Sequence, residues 1–196
     1  MIAATIREVG SSGTLDIPTS QIAKSAGASP GLVFHYFQDK EGLFLAAMRW
    51  ILRDYGADVR EALKGAETPR DRLEAIIQAN FGMTSLRRDT IAAWVNFYAL
   101  ALRAEPARRL LTVYHRRLHS NLIHDLRPLI GERADEVAQR IGGLIDGLYL
   151  RYALEGKLGR SKPKALEVQN GARHVIAMLR SELALDSLLT AEDIMK

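Results

Sequence analysis

The chain has 196 residues, a formal net charge of +4 and no cysteine. That length suits one large domain or a small head on a larger body. The missing thiols exclude disulfides, thiolate metal sites and a cysteine nucleophile, as suits a reducing cytoplasm. The most apolar window, Ile91 to Leu102, is interrupted by Asn96 and is too short to cross a bilayer. Met1 is followed by no basic and apolar leader, so no signal peptide is expected.

Taken in order, the segments read as helices throughout. Apolar residues recur at period 3.6, Gly and Pro fall between the stripes, and no window alternates with period two, which predicts an all-α chain of about nine helices. The first covers Met1 to Val9 and is expected to stop at Gly10. The second runs from Thr19 to Ala26 behind Pro18, and the third starts with Ser29 as N-cap and Pro30 as its first helical residue. A fourth begins near Asp39 and carries Phe44, Met48, Ile51, Tyr55 and Val59 on one face, long enough to leave the head and enter the body. Helix five follows Thr68-Pro69, helix six covers Asp89 to Arg103, and helix seven runs from Pro106 to Arg127, ahead of Pro128. Helix eight, Arg133 to Glu155, contains Gly142, Gly143 and Gly147. Each glycine inside a helix costs about 1 kcal/mol against alanine, so close helix-helix approach is expected there. A basic loop, Lys157 to Lys164, leads into a last helix from Pro163 to Leu185. The expected divisions are a head of residues 1–45, a body of residues 46–187 and a flexible tail of residues 188–196.

The stretch from Thr19 to Leu43 carries a recognisable pattern. Ala23, Gly27 and Val33 stand four and six residues apart, as a helix-turn-helix requires. Ala23 is small beneath a crossing helix, Gly27 supplies the positive φ of the turn, and Val33 reaches the core. Val33 and Phe37 are predicted to face inward, leaving Leu32, His35 and Tyr36 outward on a helix shaped for a DNA major groove. Residues 1–64 nevertheless hold seven basic and seven acidic side chains. That neutral balance is unexpected where phosphate contacts supply most of the affinity.

Ile22, Ala23, Ala26, Gly27, Ser29, Gly31, His35, Tyr36, Phe37, Lys40 and Leu43, feeding a long linking helix, resemble the TetR family of bacterial transcriptional repressors. Further on, Ala92 to Tyr98, Arg116 to Leu122 and Leu144 to Arg151 are similar to the body of the BetI-type repressors of that family, which control glycine betaine synthesis from choline. The resemblance implies a cytoplasmic bacterial homodimer, paired through helices eight and nine. It further implies binding to a palindromic double-stranded DNA operator and release by a small-molecule effector, here choline. The alternatives are a repressor of another small-molecule pathway, or a helical ligand-binding dimer that has lost DNA binding. Ser29, Pro30, Gly31, Leu32 and His35 would read bases, and Thr19, Tyr36 and Lys40 would hold phosphates. Two departures accompany the likeness. Relatives usually start earlier, with Arg and Lys leading into the first helix, whereas Met1 to Thr5 already lies inside it; the helix reads as shortened at its start, either because Met1 is a late start or because the basic arm is absent. Phe34 stands where many relatives carry a tyrosine that reaches a phosphate.

In the body, aromatic and polar residues recur together: Trp94, Phe97 and Tyr98 on helix six, Tyr114 on helix seven, Asp146 and Tyr149 on helix eight. Aromatic faces attract a quaternary ammonium by about 0.5–2 kcal/mol each, and one carboxylate completes the charge match. These six are the candidate ligand site. Asp146 lies in the apolar run Ile141 to Leu150 and must meet a cation, a donor or water. A hydrogen bond across a dimer interface or to an arginine is the other reading for Asp146, and ordinary core packing is the other for Trp94 and Tyr98. His115 and His119 stand i, i+4, but Arg116 and Arg117 beside them disfavour a metal and no third ligand is evident. There is no phosphate-binding glycine loop, nucleophile elbow or paired-carboxylate motif, so neither enzyme activity nor a cofactor is expected.

Overall fold

The computed structural model describes residues 1–82, 86–154 and 165–194, the side chains of 34, 165–169 and 186–194 excepted. Every regular element among the described residues is helical. α1 (Ile2–Ser12), α2 (Thr19–Ser25) and α3 (Pro30–Phe37) make the head, and α4 (Lys40–Leu63) runs from it into the body. The body comprises α5 (Pro69–Asn80), α6 (Arg88–Ala101), α7 (Glu105–Ile130), a 3-10 turn (Gly131–Arg133), α8 (Ala134–Leu154) and α9 (Ala165–Ile194). The expected basic loop at 157–164 lies outside the described residues.

Local chemistry sets most helix ends. Asp39 caps α4 by accepting from the Gly42 N–H at 2.6 Å. Thr68 and Asp71 form a reciprocal capping box at α5, where the Asp71 N–H donates to Thr68 Oγ1 at 3.1 Å and the Thr68 N–H donates to Asp71 Oδ2 at 3.2 Å. Three ends differ from the expected ones. α1 runs through Gly10 and stops at Gly13, whose φ of 70° lets its N–H close back on the Val9 carbonyl at 2.8 Å. α7 continues past Pro128 to Ile130, because a proline near the end of a helix removes one backbone bond and the left-handed Gly131 supplies the stop. α9 is continuous to Ile194, beyond the expected end at Leu185.

The core runs unbroken from head to body. Ile22, Ala23 and Val33 are sealed in the head, Leu43 and Met48 carry the packing into α4, and Ile77, Phe97, Leu122, Ile141, Val175 and Leu179 fill the body. Each such aliphatic side chain contributes about 1.5–3 kcal/mol by leaving water. Ion pairs pin the outer helices: Arg72 on α5 to buried Asp125 on α7 at 2.8 Å, Arg133 to Glu182 on α9 at 2.6 Å, and Arg180 on α9 to Glu74 on α5 at 2.9 Å.

Within one chain, the glycines of helix eight stand open. Cβ atoms at Gly142, Gly143 and Gly147 would meet nothing within 4 Å, so among the described residues no other helix approaches α8 closely there. The tight contacts are elsewhere. A Cβ at Gly171 of α9 would lie 2.4 Å from the Phe81 ring, and one at Gly10 of α1 would lie 2.3 Å from the Asp89 Cβ on α6. Gly10 is therefore the point where head and body touch backbone to backbone, and its Cα hydrogen is what permits it. Gly10→Ala should force the two helices apart and destabilise the chain by about 1–3 kcal/mol, an overpacking penalty measurable by urea unfolding.

Candidate DNA-reading helix and effector site

The head is assembled by α1 holding α2. Arg7 Nη2 donates to the Ser25 carbonyl at 3.2 Å and Gln21 Nε2 donates to the Glu8 carboxylate at 2.7 Å. Hydrogen bonds from Gln21 and Ser25, with Arg7 beside it, hold the Glu8 carboxyl below its ordinary range. Gly27 turns the chain with a φ of 65°, and α3 then crosses over buried Ile22 and Ala23.

Among the described side chains of α3, Val33 is the one that enters the core, and Phe37 is half-buried. Ser29, Pro30, Gly31, Leu32, His35 and Tyr36 are all exposed, Leu32 by 43% and Tyr36 by 68%. The His35 and Tyr36 rings meet edge to face at 5.1 Å. Thr19 is half-buried at the start of α2. Lys40 is not free: its Nζ donates to Asp16 at 3.4 Å. An exposed pair of that length is worth about 0.2–1 kcal/mol, weak enough for a phosphate to displace.

Sequence reasoning missed what sets the angle of α3. Gln38 takes a φ of 61°, in the left-handed region that side chains disfavour, and a Cβ at Gly42 would lie 2.4 Å from the Phe37 carbonyl oxygen. With the Asp39 cap, these make one tight α3–α4 turn. The Asp-x-x-Gly spacing was the available signal.

The body brings together four of the six expected ligand residues. Trp94 lies 5.7 Å from Tyr98 and 5.0 Å from Tyr114 between ring centroids. Tyr98 Oη donates to Asp146 Oδ1 at 2.9 Å, which joins α6 to α8. His115, set aside as a metal ligand, belongs to the group: its ring is 5.3 Å from Tyr114 and its Nε2 is 3.4 Å from Asp146 Oδ2. Asp146 thus accepts a hydrogen bond from α6 and is approached by a histidine of α7, and its side chain keeps 34% of its surface exposed. That opening faces a groove of about 330 Å³ between α7 and α8, lined by His115, His119, Gln139, Gly142, Gly143 and Asp146 among others. No group of three or more His, Asp or Glu suited to a metal occurs among the described residues.

Phe97 and Tyr149 lie apart from that opening. Phe97 touches Trp94 at 6.0 Å but faces the head, sharing a small apolar gap with Ile6, Val9 and Phe44. Tyr149 stacks on Phe81 at 5.8 Å and donates to the Asn80 carbonyl. Asn80 itself gave no sign in the sequence. Its Nδ2 donates to Tyr55 Oη at 2.9 Å and its Oδ1 accepts from Tyr114 Oη at 3.5 Å, so one buried amide ties α4, α7 and α8 to the end of α5.

An exposed third helix behind a tight turn, above a helical body with an internal aromatic and carboxylate cluster, is the arrangement of a helix-turn-helix DNA-binding regulator. Residues 1–47 match the bacterial regulatory proteins of the tetR family, and residues 69–184 match the C-terminal domain of the BetI-type transcriptional repressors. The chain is 49% identical to the HTH-type transcriptional regulator BetI of Brucella anthropi over 155 residues, 79% of this chain and 80% of that one. It is 42% identical to the BetI regulator of Rhizobium meliloti over 156 residues, 79% of this chain and 77% of the relative. Solved structures share the fold: a transcriptional regulator of Pseudomonas aeruginosa (TM-score 0.76, 24% identity, 93% of this chain and 88% of that one) and one of Saccharomonospora viridis in complex with choline (TM-score 0.75, 22% identity, 91% and 93%). The chain belongs to the BetI-type branch of the TetR family, and it is a DNA-binding transcriptional repressor.

Burial pushes the phenols of Tyr55, Tyr98 and Tyr114 well above the ordinary tyrosine value, and the Asp146 carboxylate adds to the rise at Tyr98 and Tyr114. The folded-state values are raised, so the fold is favoured fully below about pH 10 and loses that advantage as pH climbs through the folded values. An ultraviolet titration should show at least these three of the six tyrosines ionising only as the chain unfolds.

Proposed function

We propose that this repressor governs genes for choline uptake or conversion to glycine betaine, and that choline entering at Asp146 releases it from its operator. The observation that carries the reading is the Tyr98–Asp146–His115 cluster: Asp146 and His115 line an open groove, and Tyr98, which donates to Asp146, adjoins the rings of Trp94 and Tyr114. A quaternary ammonium cannot donate a hydrogen bond, so it is recognised by a carboxylate and by the negative faces of aromatic rings. Tyr98 and Tyr114, neutral through the physiological range, supply such faces beside the one carboxylate of the cluster. The BetI name of the Brucella and Rhizobium relatives and the choline bound to the Saccharomonospora regulator point the same way.

On the DNA side, α3 reads base edges through Ser29, Pro30, Gly31, Leu32 and His35, while Thr19, Tyr36 and Lys40 hold phosphates. Their support is the exposure of Ser29, Pro30, Gly31, Leu32, His35 and Tyr36 on or beside α3, with half-buried Thr19 opening α2 and half-buried Lys40 opening α4. One head makes few contacts, so two are needed, about 34 Å apart on a palindrome. The second copy joins through α8 and α9. Gly143, Gly147, Leu150 and Leu154 present an exposed strip on α8, Leu150 by 48% and Leu154 by 77%, which a paired helix would cover. Such a dimer works in the bacterial cytoplasm, where its operator is.

Asp146→Asn keeps the size of the side chain and removes its charge. Choline affinity by calorimetry should fall about 10- to 100-fold, with choline-free operator binding unchanged. Wild-type protein that binds its operator yet takes up no choline would overturn the effector assignment and leave the repressor intact. Tyr36→Phe and Lys40→Ala should each weaken operator binding without altering base preference; in gel-shift titrations Lys40→Ala should flatten the log–log salt dependence by about 0.9, whereas Tyr36→Phe, which removes no charge, should leave that slope as in the wild type.

A further inference from the structure

We propose that the cleft between α4 and α7 is a second small-molecule site, one that takes an amphiphilic anion: an acidic head group on an apolar chain. The cleft encloses about 530 Å³; Tyr114 lines it and not the Asp146 groove, and Leu118 lines both. Its α4 wall is a single helix face, with Arg49, Leu52, Arg53, Gly56, Val59 and Arg60 at three- and four-residue spacing; α7 answers with Leu110, Val113, Tyr114 and Arg117.

The charge pattern selects the ligand. Four guanidinium groups line the cleft and no carboxylate does. Among the described residues, none of Arg49, Arg53, Arg60 and Arg117 makes an ion pair or a side-chain hydrogen bond, although ten other arginines and lysines of the chain do. The acids of α4 are absent from this face, and Glu61 is spent on Lys64 at 2.6 Å. Like charges gathered around a concave, partly apolar wall concentrate a positive potential there. A planar carboxylate or a phosphate matches the guanidinium fork.

The floor selects the rest of the molecule. Leu52, Val59 and Leu110 offer aliphatic surface, and Val113 remains 45% exposed at the mouth. Tyr55 accepts a hydrogen bond from Asn80, which leaves its own hydroxyl proton for an acceptor. A free inorganic anion would leave this apolar surface wet, and an uncharged lipid would leave four cations unmatched. The Asp146 groove sets one carboxylate against Arg116, whereas this cleft holds four arginines and no carboxylate, so the two differ in the charge they can match.

Dodecanoate, kept below its micelle-forming concentration, is the probe, with dodecanol as the uncharged control and dodecyl phosphate to separate carboxylate from phosphate recognition. Calorimetry on the full chain should show dodecanoate or dodecyl phosphate binding at one site per chain, at least about tenfold tighter than dodecanol. Arg53→Gln with Arg117→Gln, one exposed residue from each wall, should weaken the anion about tenfold or more, while choline-evoked heat and the helical circular dichroism stay as in the wild type. Equal affinity for dodecanol, full affinity in the double variant, or no binding of either anion would each overturn the proposal.

Discussion

Head and body are joined through the contact of α1 with α6, and the rest of the molecule is arranged around it. Gly10 lets the α1 backbone meet Asp89, Asn96 Nδ2 donates to the Gly13 carbonyl at 3.2 Å, and Phe97 and Leu100 pack against Ile6, Val9 and Phe44. α6 therefore carries both ends of the apparatus. Trp94 and Tyr98 lie one turn apart on its inner side, while Asn96 and Phe97, between them in sequence, grip the head. A helix transmits rotation without bending over so short a length. A ligand that prefers one setting of Tyr98 and Asp146 also prefers one setting of the head, and only through that difference in affinity can it shift the equilibrium. α4 shares the work, since it too belongs to both parts.

Behind the aromatic cluster, Asn80 limits how the body can move. Its position at the end of α5 leaves a backbone carbonyl without a helical partner, and Tyr149 supplies the missing donor. Its side chain meanwhile engages Tyr55 on α4 and Tyr114 on α7. Hydrogen bonds of this kind are strengthened by the low dielectric around them, and leaving any member unpaired is costly. Tyr114 thereby lines the arginine-bearing cleft while its ring meets His115, the neighbour of Asp146.

Much of this was legible in the residues themselves. Helix starts followed from short-range chemistry, with Pro18, Pro30, Asp39 and Thr68-Pro69 all standing where a helix begins. The helix-turn-helix followed from Ala23, Gly27 and Val33, because a positive φ and a small crossing residue are requirements of the turn alone. The spacing of Trp94 and Tyr98 put both on one face, since helical periodicity is a local property.

Periodicity gives a face but not what lies against it, and that was left to the tertiary structure. Gly10 and the glycines of α8 look alike in the sequence; packing alone makes the first a contact point and leaves the others open. Phe97 turned to the head and Tyr149 to α5, while His115 joined Asp146 from a neighbouring helix. Asn80 meets Tyr149 across 69 residues of chain and Tyr98 meets Asp146 across 48. Such pairings depend on how whole helices cross, so the chain's own order determined its elements and its DNA-reading motif, and the fold alone decided which side chains share a site.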